Sequence, residues 1–201
     1  MLDGAAQRLV RPSLDRLGAR LAAGGVSADR ITRLGFAIGV AAALAIVSEF
    51  YLLGLFLILA SRLCDGLDGA VARHTALTDR GGFLDIVSDF AFYGLIPLAF
   101  VLARPEANAV AGAVLLFSFY VNGASFLAYA AMAAKRGLTT EARGAKSLYF
   151  TTGLAEATET IAVFCLFCLF PGWFAPIAYV FAAMTLVTAA ARVLLATRVF
   201  L

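Results

Sequence analysis

The chain has 201 residues, of which 62% are hydrophobic and 14% are charged, and its net charge is +3 at pH 7. A soluble domain carries about half apolar and a quarter charged residues, so this composition excludes one and predicts an integral membrane protein. The cations flank apolar runs without interleaved aromatic side chains, which argues against nucleic-acid binding.

The first predicted element is an amphipathic helix near the amino terminus. Over residues 9–21 the apolar side chains recur at helical spacing, and arginines occupy most of the remaining surface. This pattern is typical of a helix that lies on the cytoplasmic leaflet of a membrane. Gly24 and Gly25 are expected to end it. We therefore assign residues 1–26 to a juxtamembrane segment and residues 27–201 to the membrane domain.

Six apolar runs follow along the chain. They cover about 31–50, 51–72, 81–103, 109–134, 147–170 and 173–197. Each is close to the ~20 residues that a helix needs to cross a bilayer. Helices are expected because lipid leaves every backbone polar group to be satisfied within its own segment. The predicted fold is all-α, with six transmembrane helices and one interfacial helix.

The positions of the cations predict the orientation in the membrane. Arginines and lysines concentrate before the first run, between the second and third runs, and between the fourth and fifth. The alternate connections carry very few charges. By the positive-inside rule, both termini and the connection between the second and third runs face the cytoplasm.

Four aspartates flank that connection. Asp65 and Asp68 close the second run, and Asp85 and Asp89 open the third. Spacings of three and four residues place each pair on one helix face. A carboxylate in a spanning helix costs roughly 2.5–3.5 kcal/mol, so cations are expected among the four. Mg²⁺ or Mn²⁺ prefers all-oxygen ligands, and two such ions can hold the attacking and leaving oxygens of a phosphoryl transfer.

The aspartate segment resembles the signature of the CDP-alcohol phosphatidyltransferases, Asp-x-x-Asp-Gly-x-x-Ala-Arg and then, after a short gap, Gly-x-x-x-Asp-x-x-x-Asp. Every fixed position is filled, by Asp65, Asp68, Gly69, Ala72, Arg73, Gly81, Asp85 and Asp89. The resemblance covers nearly the whole chain. It implies an enzyme of phospholipid biosynthesis that transfers a phosphatidyl group from CDP-diacylglycerol to a small alcohol and releases CMP. It also implies a homodimer in the inner membrane of a bacterium.

The resemblance further implies roles for single residues. Asp65, Asp68 and Asp85 would hold two divalent ions with help from Asp89, which would also take the proton from the acceptor alcohol. The segment Asp29-Arg30-Ile31-Thr32 is similar to the family's Asn-x-x-Thr near the nucleotide, with Asp in place of Asn. Helix capping explains Asp29 equally well. The expected contacts with the CDP substrate are Asp29, Thr32, Gly66, Asp68, Gly69, Ala72, Arg73 and Gly81.

Two groups of residues are candidates for acceptor binding. Glu156 and Glu159 are expected roughly 13–15 Å into the fifth run, where they would line an acceptor pocket. The alternative is a structural pairing with an arginine such as Arg62 or Arg192. The second group is the cationic cluster Lys135, Arg136, Arg143 and Lys146. It would receive a phosphorylated acceptor, or else serve only topology and anionic lipids.

Several alternative functions stay open at this level. Within the family, the chain would be a phosphatidylglycerophosphate, phosphatidylserine or phosphatidylinositol-phosphate synthase. A noncatalytic lipid-binding relative would keep the fold but should have lost an aspartate. A divalent-cation transporter would distribute its acids along the membrane normal, whereas these cluster at one edge.

Overall fold

The computed structural model describes residues 3–137 and 154–200, with side chains from residue 10 onward. Within these residues the chain forms seven α-helices and one turn of 3-10 helix at Pro171–Trp173, and no strand. The helices are α1 (Asp3–Ala23), α2 (Ala28–Val47), α3 (Tyr51–His74), α4 (Asp79–Ala103), α5 (Pro105–Lys135), α6 (Ala157–Leu169) and α7 (Phe174–Val199). The predicted all-helical fold is confirmed.

The six helices after α1 correspond to the six predicted apolar runs. Helices α2, α4, α5 and α7 are long and apolar enough to cross a bilayer. Helix α3 has 24 residues and carries the charged signature in its second half. Helix α6 has only 13 residues, because it begins at Ala157, and residues 147–153 of the fifth run lie outside the described ranges. The chain is an integral membrane protein.

Local hydrogen bonds explain where several helices begin and end. As expected, glycines end α1: Gly25 has a φ of +75°, and Val26 N donates to the Leu21 carbonyl at 3.0 Å. Ser27 is the N-cap residue of α2, although its side chain makes no capping hydrogen bond. Helix α4 has a side-chain cap, because Thr78 Oγ1 accepts a hydrogen bond from Gly81 N at 3.0 Å.

Aromatic side chains form the centre of the bundle. Six phenylalanines from α4, α6 and α7 are almost completely buried: Phe92, Phe100, Phe164, Phe167, Phe174 and Phe181. The Phe167 and Phe174 ring centroids are 4.6 Å apart, and Phe100 stacks on Phe174 at 5.2 Å. Such pairs contribute about 0.5–1.5 kcal/mol beyond area burial. Close packing matters here because lipid tails remove the hydrophobic drive between helices.

Glycines in α2 let this helix approach its neighbours closely. A Cβ at Gly35 would lie 2.9 Å from the Cys64 Cβ of α3, and one at Gly39 would lie 2.8 Å from Phe92 Cδ2 of α4. Any larger side chain at either position would push the helices apart. Helix α2 therefore packs tightly against both α3 and α4 near the aspartates.

Helix α1 packs against the signature segment of α3. A Cβ at Gly18 would lie 2.7 Å from Ala70 Cβ, and one at Gly66 would lie 2.8 Å from Leu14 Cδ1. The apolar face of α1 thus packs partly against protein, whereas its amphipathic pattern predicts a face on the lipid surface. The contact comprises Leu14 and Leu21 of α1 and Leu67 and Val71 of α3, together with Ile31 of α2.

Candidate active site

Three carboxylates meet where the end of α3 faces the start of α4. Asp65, Asp85 and Asp89 each place one carboxylate oxygen within 4.8 Å of the other two. The four-residue spacing in α4 puts Asp85 and Asp89 on one face, and the short α3–α4 connection turns that face toward Asp65. The structure therefore brings together three of the four predicted aspartates.

Asp68 lies one turn further along α3 and binds a residue of α2. Its side chain is buried, with the residue 5% exposed, and Oδ2 accepts a hydrogen bond from Thr32 Oγ1 at 2.6 Å. A short bond of this kind to a carboxylate is charge-assisted. Thr32 and Asp68, both predicted to contact the CDP substrate, are thus neighbours in the structure.

Arg62 is a further site residue, and its contacts with the aspartates are not among the sequence predictions. Its Nη1 lies 2.6 Å from Asp89 Oδ1 and 3.3 Å from Asp65 Oδ1. The alternative pairing of Arg62 with the two glutamates is therefore not what the described contacts show. A usable signal was present, because Arg62 precedes Asp65 by three residues on a helix and falls on the same face.

Arg73 is held by a residue of α1. Its Nη2 donates to Asp15 Oδ1 at 2.6 Å, and this hydrogen bond lowers the pKa of the Asp15 carboxyl. The Arg73 side chain is 41% exposed, so it keeps access to solvent. Asp15 was not predicted as a site residue, because nothing in the sequence places α1 beside the end of α3.

The signature glycines have different surroundings. Among the described residues, Arg73 Nη1 at 3.6 Å is the one neighbour that a Cβ at Gly69 would meet, so none of the described side chains covers this side of α3. A Cβ at Gly66 would lie 2.8 Å from Leu14 Cδ1 of α1, so Gly66 has a role in packing as well as the predicted contact with the CDP substrate. Gly81 lies in the first turn of α4, where a Cβ would be 3.5 Å from Asp29 Oδ1. Ala72 lies in the last turns of α3. Contacts of these residues with a nucleotide stay predictions.

Glu156 and Glu159 are not deep within a helix. Glu156 is the N-cap residue of α6, and its N–H donates to Glu159 Oε2 at 3.2 Å in a capping box. The preceding backbone is tied to α7 instead, since the N–H groups of Leu154 and Ala155 both donate to Thr188 Oγ1. The expectation that the pair lies roughly 13–15 Å into a helix is therefore wrong, because α6 begins only at Ala157.

The other residues named for acceptor binding are only partly described. Arg136 Nη2 donates to the Phe200 carbonyl at 2.5 Å, which ties the end of α5 to the end of α7. Lys135 is the exposed last residue of α5, whereas Arg143 and Lys146 lie outside the described residues. Arg192, the other suggested partner of the glutamates, donates to Asn122 Oδ1 at 2.9 Å and to Ser125 Oγ at 2.8 Å.

The carboxylate cluster fits a divalent cation. Two oxygens on opposite sides of a Mg²⁺ ion are about 4.2 Å apart, given bonds of about 2.1 Å. One oxygen from each of Asp65, Asp85 and Asp89 lies within 4.8 Å of the other two, which is close to this separation. The donor set is all oxygen, which suits Mg²⁺ or Mn²⁺.

The all-helical membrane fold and the aspartates at the junction of two helices are the features of a membrane-embedded phosphotransferase. The chain belongs to the CDP-alcohol phosphatidyltransferase family, whose model matches residues 26–197. Membership supports a phosphotransferase that acts on CDP-alcohol substrates and membrane lipids.

Two relatives extend the comparison. The chain is 49% identical to the inner membrane protein YnjF of Escherichia coli over 193 residues, which cover 96% of this chain and 94% of that protein. It is 33% identical to the archaetidylinositol phosphate synthase of Pyrococcus horikoshii over 81 residues, which cover 40% of this chain and 43% of that enzyme.

Proposed function

We propose that this protein transfers a phosphatidyl group from CDP-diacylglycerol to the hydroxyl of a small alcohol and releases CMP. The observation that carries this proposal is the meeting of Asp65, Asp85 and Asp89 oxygens within 4.8 Å at the family signature. Family membership supports the CDP-alcohol part of the reaction and favours a transferase over a cation transporter.

The aspartates would bind the catalytic cations. Asp65, Asp85 and Asp89, assisted by Asp68, would hold two Mg²⁺ or Mn²⁺ ions. When bound, these ions supply positive charge against the pyrophosphate and the leaving CMP. The three clustered oxygens are the ligands that such ions prefer.

Asp89 is the proposed general base. The proton of the acceptor hydroxyl passes to the Asp89 carboxylate, the alcohol oxygen bonds to the phosphorus that bears the lipid, and the bond from that phosphorus to CMP breaks. A base in this position acts mainly through proximity and orientation. The contact of Asp89 with Arg62 restricts its orientation before substrate arrives.

The nucleotide half of the substrate would lie along α3. The described residues leave one side of Gly69 uncovered, where phosphates would approach the helix backbone. Arg73, oriented by Asp15, would bind phosphate oxygens. Asp29, Thr32, Ala72 and Gly81 are proposed to surround the cytidine end.

The candidate acceptors are serine, glycerol 3-phosphate and inositol phosphate, and a direct assay of each identifies the one that is used. The name of the archaeal relative is a reason to include inositol phosphate. Glu156 and Glu159 are proposed to face the acceptor from the start of α6. Lys135, Arg136, Arg143 and Lys146 are the proposed alternative for a phosphorylated acceptor.

We further propose an inner-membrane homodimer with both termini and the site on the cytoplasmic side. The distribution of cations supports this orientation. The name of the Escherichia coli relative supports a location in the inner membrane. The homodimer rests on the family resemblance alone.

The decisive experiment measures CMP release by the purified protein in lipid nanodiscs. Radiolabelled CDP-diacylglycerol, Mg²⁺ or Mn²⁺, and the three acceptors are supplied, and lipid products are separated. Asp89→Asn should lower CMP release at least about 100-fold, because the general base is lost. Asp79→Asn is the matched control, since Asp79 is an exposed aspartate of the same helix outside the cluster, and it should retain full activity.

Two outcomes would contradict the proposal. Wild-type protein that releases no CMP with any acceptor or ion would remove the activity and favour a noncatalytic lipid-binding relative. Full activity in Asp89→Asn would keep the activity and remove the base assignment.

A further inference from the structure

Arg62 is a largely buried arginine that connects carboxylates from two helices. Its side chain is 11% exposed, and its Nη1 lies 2.6 Å from Asp89 Oδ1 of α4 and 3.3 Å from Asp65 Oδ1 of its own helix. A charged group that is largely buried requires partners of this kind. The shorter contact is with Asp89, the proposed general base.

The guanidinium is also held on its other sides. Its Cζ lies 3.9 Å from the centroid of the Phe92 ring, within the range of a cation–π contact. Its Nη2 donates to Ser61 Oγ at 3.3 Å, and that hydroxyl donates to the Gly35 carbonyl at 2.8 Å. Gly39 leaves room for Phe92, because a Cβ there would lie 2.8 Å from Phe92 Cδ2. Three helices therefore hold the guanidinium in one orientation.

The pattern of hydrogen bonds shows which contacts decide that orientation. Arg62 Nε is buried and has no hydrogen-bond partner among the residues that the structure describes. One buried donor is thus left unpaired while Nη1 faces the carboxylates. The guanidinium is therefore oriented by its contacts with Asp89 and Asp65, and not by a hydrogen bond from Nε.

We infer that Arg62 is a positioning residue that holds one oxygen of Asp89 and leaves the other directed to the acceptor hydroxyl or a divalent ion. This inference rests on the proposed function, because it assigns Asp89 the role of base. A lysine would retain the charge but not the planar group that bonds Asp89 while it lies against Phe92.

The inference predicts opposite effects on cation binding and turnover. Loss of the positive charge makes the carboxylate cluster more negative, so divalent cations should bind more tightly. Loss of the contact with Asp89 frees the base to leave its productive orientation, so turnover should fall. A residue with only a structural role would lower both together.

The test compares Arg62→Gln with Arg62→Lys in nanodiscs. Mn²⁺ binding is measured by electron paramagnetic resonance without substrate, and kcat and KM for CDP-diacylglycerol are measured with folded protein quantified. In Arg62→Gln, the Kd for Mn²⁺ should decrease at least about threefold. Its kcat should fall about 10- to 100-fold, with KM changed less than about threefold. In Arg62→Lys, Mn²⁺ binding should stay within about twofold of wild type and kcat should be intermediate.

Arg104→Gln is the matched control. It removes another arginine–carboxylate contact, from Arg104 Nη2 to Glu49 Oε2 at 2.7 Å, beyond the far end of α4. Both Mn²⁺ binding and kcat should stay at the wild-type values. This separates the loss of any ion pair from the loss of the one at the cluster.

Several results would overturn the inference. An unchanged kcat in Arg62→Gln, with active wild-type protein, would reject Arg62 as a positioning residue and leave the proposed function intact. Weaker or unchanged Mn²⁺ binding in that variant would also reject it, even if wild-type protein released no CMP. If Arg62→Gln does not fold, full activity in Arg62→Lys would reject the need for the planar group.

Discussion

Asp68 shows how a buried carboxylate is stabilised by a residue of another helix. The residue is 5% exposed, and Thr32 of α2 donates to it at 2.6 Å. A hydrogen bond to a buried charge contributes more than one between neutral groups. Thr32 thereby links α2 to the signature of α3, beside the three clustered aspartates.

Replacing Thr32 by valine should destabilise the protein. Thr32→Val removes the hydroxyl and leaves Asp68 buried without that donor, which should cost about 1–3 kcal/mol of unfolding free energy. Thermal unfolding in detergent with a metal chelator measures the effect. Thr32→Ser keeps the hydroxyl and is the control. Equal unfolding temperatures for valine and wild type would show that the bond contributes nothing.

At the scale of elements, α1 is a support for the functional part of α3. Gly18 lies against Ala70, Gly66 against Leu14, and Asp15 binds Arg73 at 2.6 Å. These contacts reach α3 at Gly66, Ala70 and Arg73, and the one that binds a functional side chain is the hydrogen bond to Arg73. Displacement of α1 should therefore disturb Arg73 before it disturbs the aspartates.

Gly18→Ala should loosen α1 from α3. The new Cβ would lie 2.7 Å from Ala70 Cβ and 3.0 Å from the Ala70 carbonyl carbon, which cannot rotate away. Overpacking of this kind costs about 1–3 kcal/mol. We expect faster proteolysis of α1 and a raised KM for CDP-diacylglycerol.

Gly94→Ala provides the comparison for that variant. It makes the same chemical change within α4, at a position where no atom of the described residues lies within 4 Å of the added Cβ. Identical proteolysis of Gly18→Ala and Gly94→Ala would mean that the approach of α1 to α3 does not depend on glycine.

At the scale of the whole molecule, a different arginine–carboxylate contact connects the helices at each end of the bundle. One end carries the aspartates with Arg62. Beyond the other end, Arg104 donates to Glu49 at 2.7 Å and so links the α2–α3 connection to the start of α5. Glu49 is also the one residue other than glycine with a positive φ, +61°, in the described parts of the chain.

This ion pair should make stability depend on acid pH. The hydrogen bond from Arg104 lowers the pKa of the Glu49 carboxyl from the ordinary value of 4.5. The stabilisation is present above that value and is lost as the pH falls through the lowered pKa. Because the pair is exposed, the effect should be small.

Thermal unfolding between neutral pH and about pH 3, a range that brackets the ordinary carboxyl pKa, measures this dependence. The unfolding temperature of Glu49→Gln should lie closer to that of wild type at the acid end than at neutral pH. A constant difference between the two proteins across the range would contradict the role of the pair.

Much of the candidate site follows from local sequence. Asp65, Asp85 and Asp89 lie at spacings that place them on helix faces, and the helices are long apolar runs whose periodicity is a local property. A short connection between two such helices brings their adjoining ends together. The seven helices, the membrane class and the meeting of these aspartates were therefore predictable without coordinates.

The partners of those residues were decided only by tertiary structure. Arg62 pairs with Asp89 rather than with the glutamates. Asp15 of α1 accepts a hydrogen bond from Arg73, and Thr188 of α7 accepts one from the backbone that precedes α6. Each contact joins segments that are distant in the chain or depends on how two helices rotate against each other. Helical periodicity determines which face a residue occupies. Which neighbour meets that face depends on close packing between helices, because lipid offers no competing polar partner.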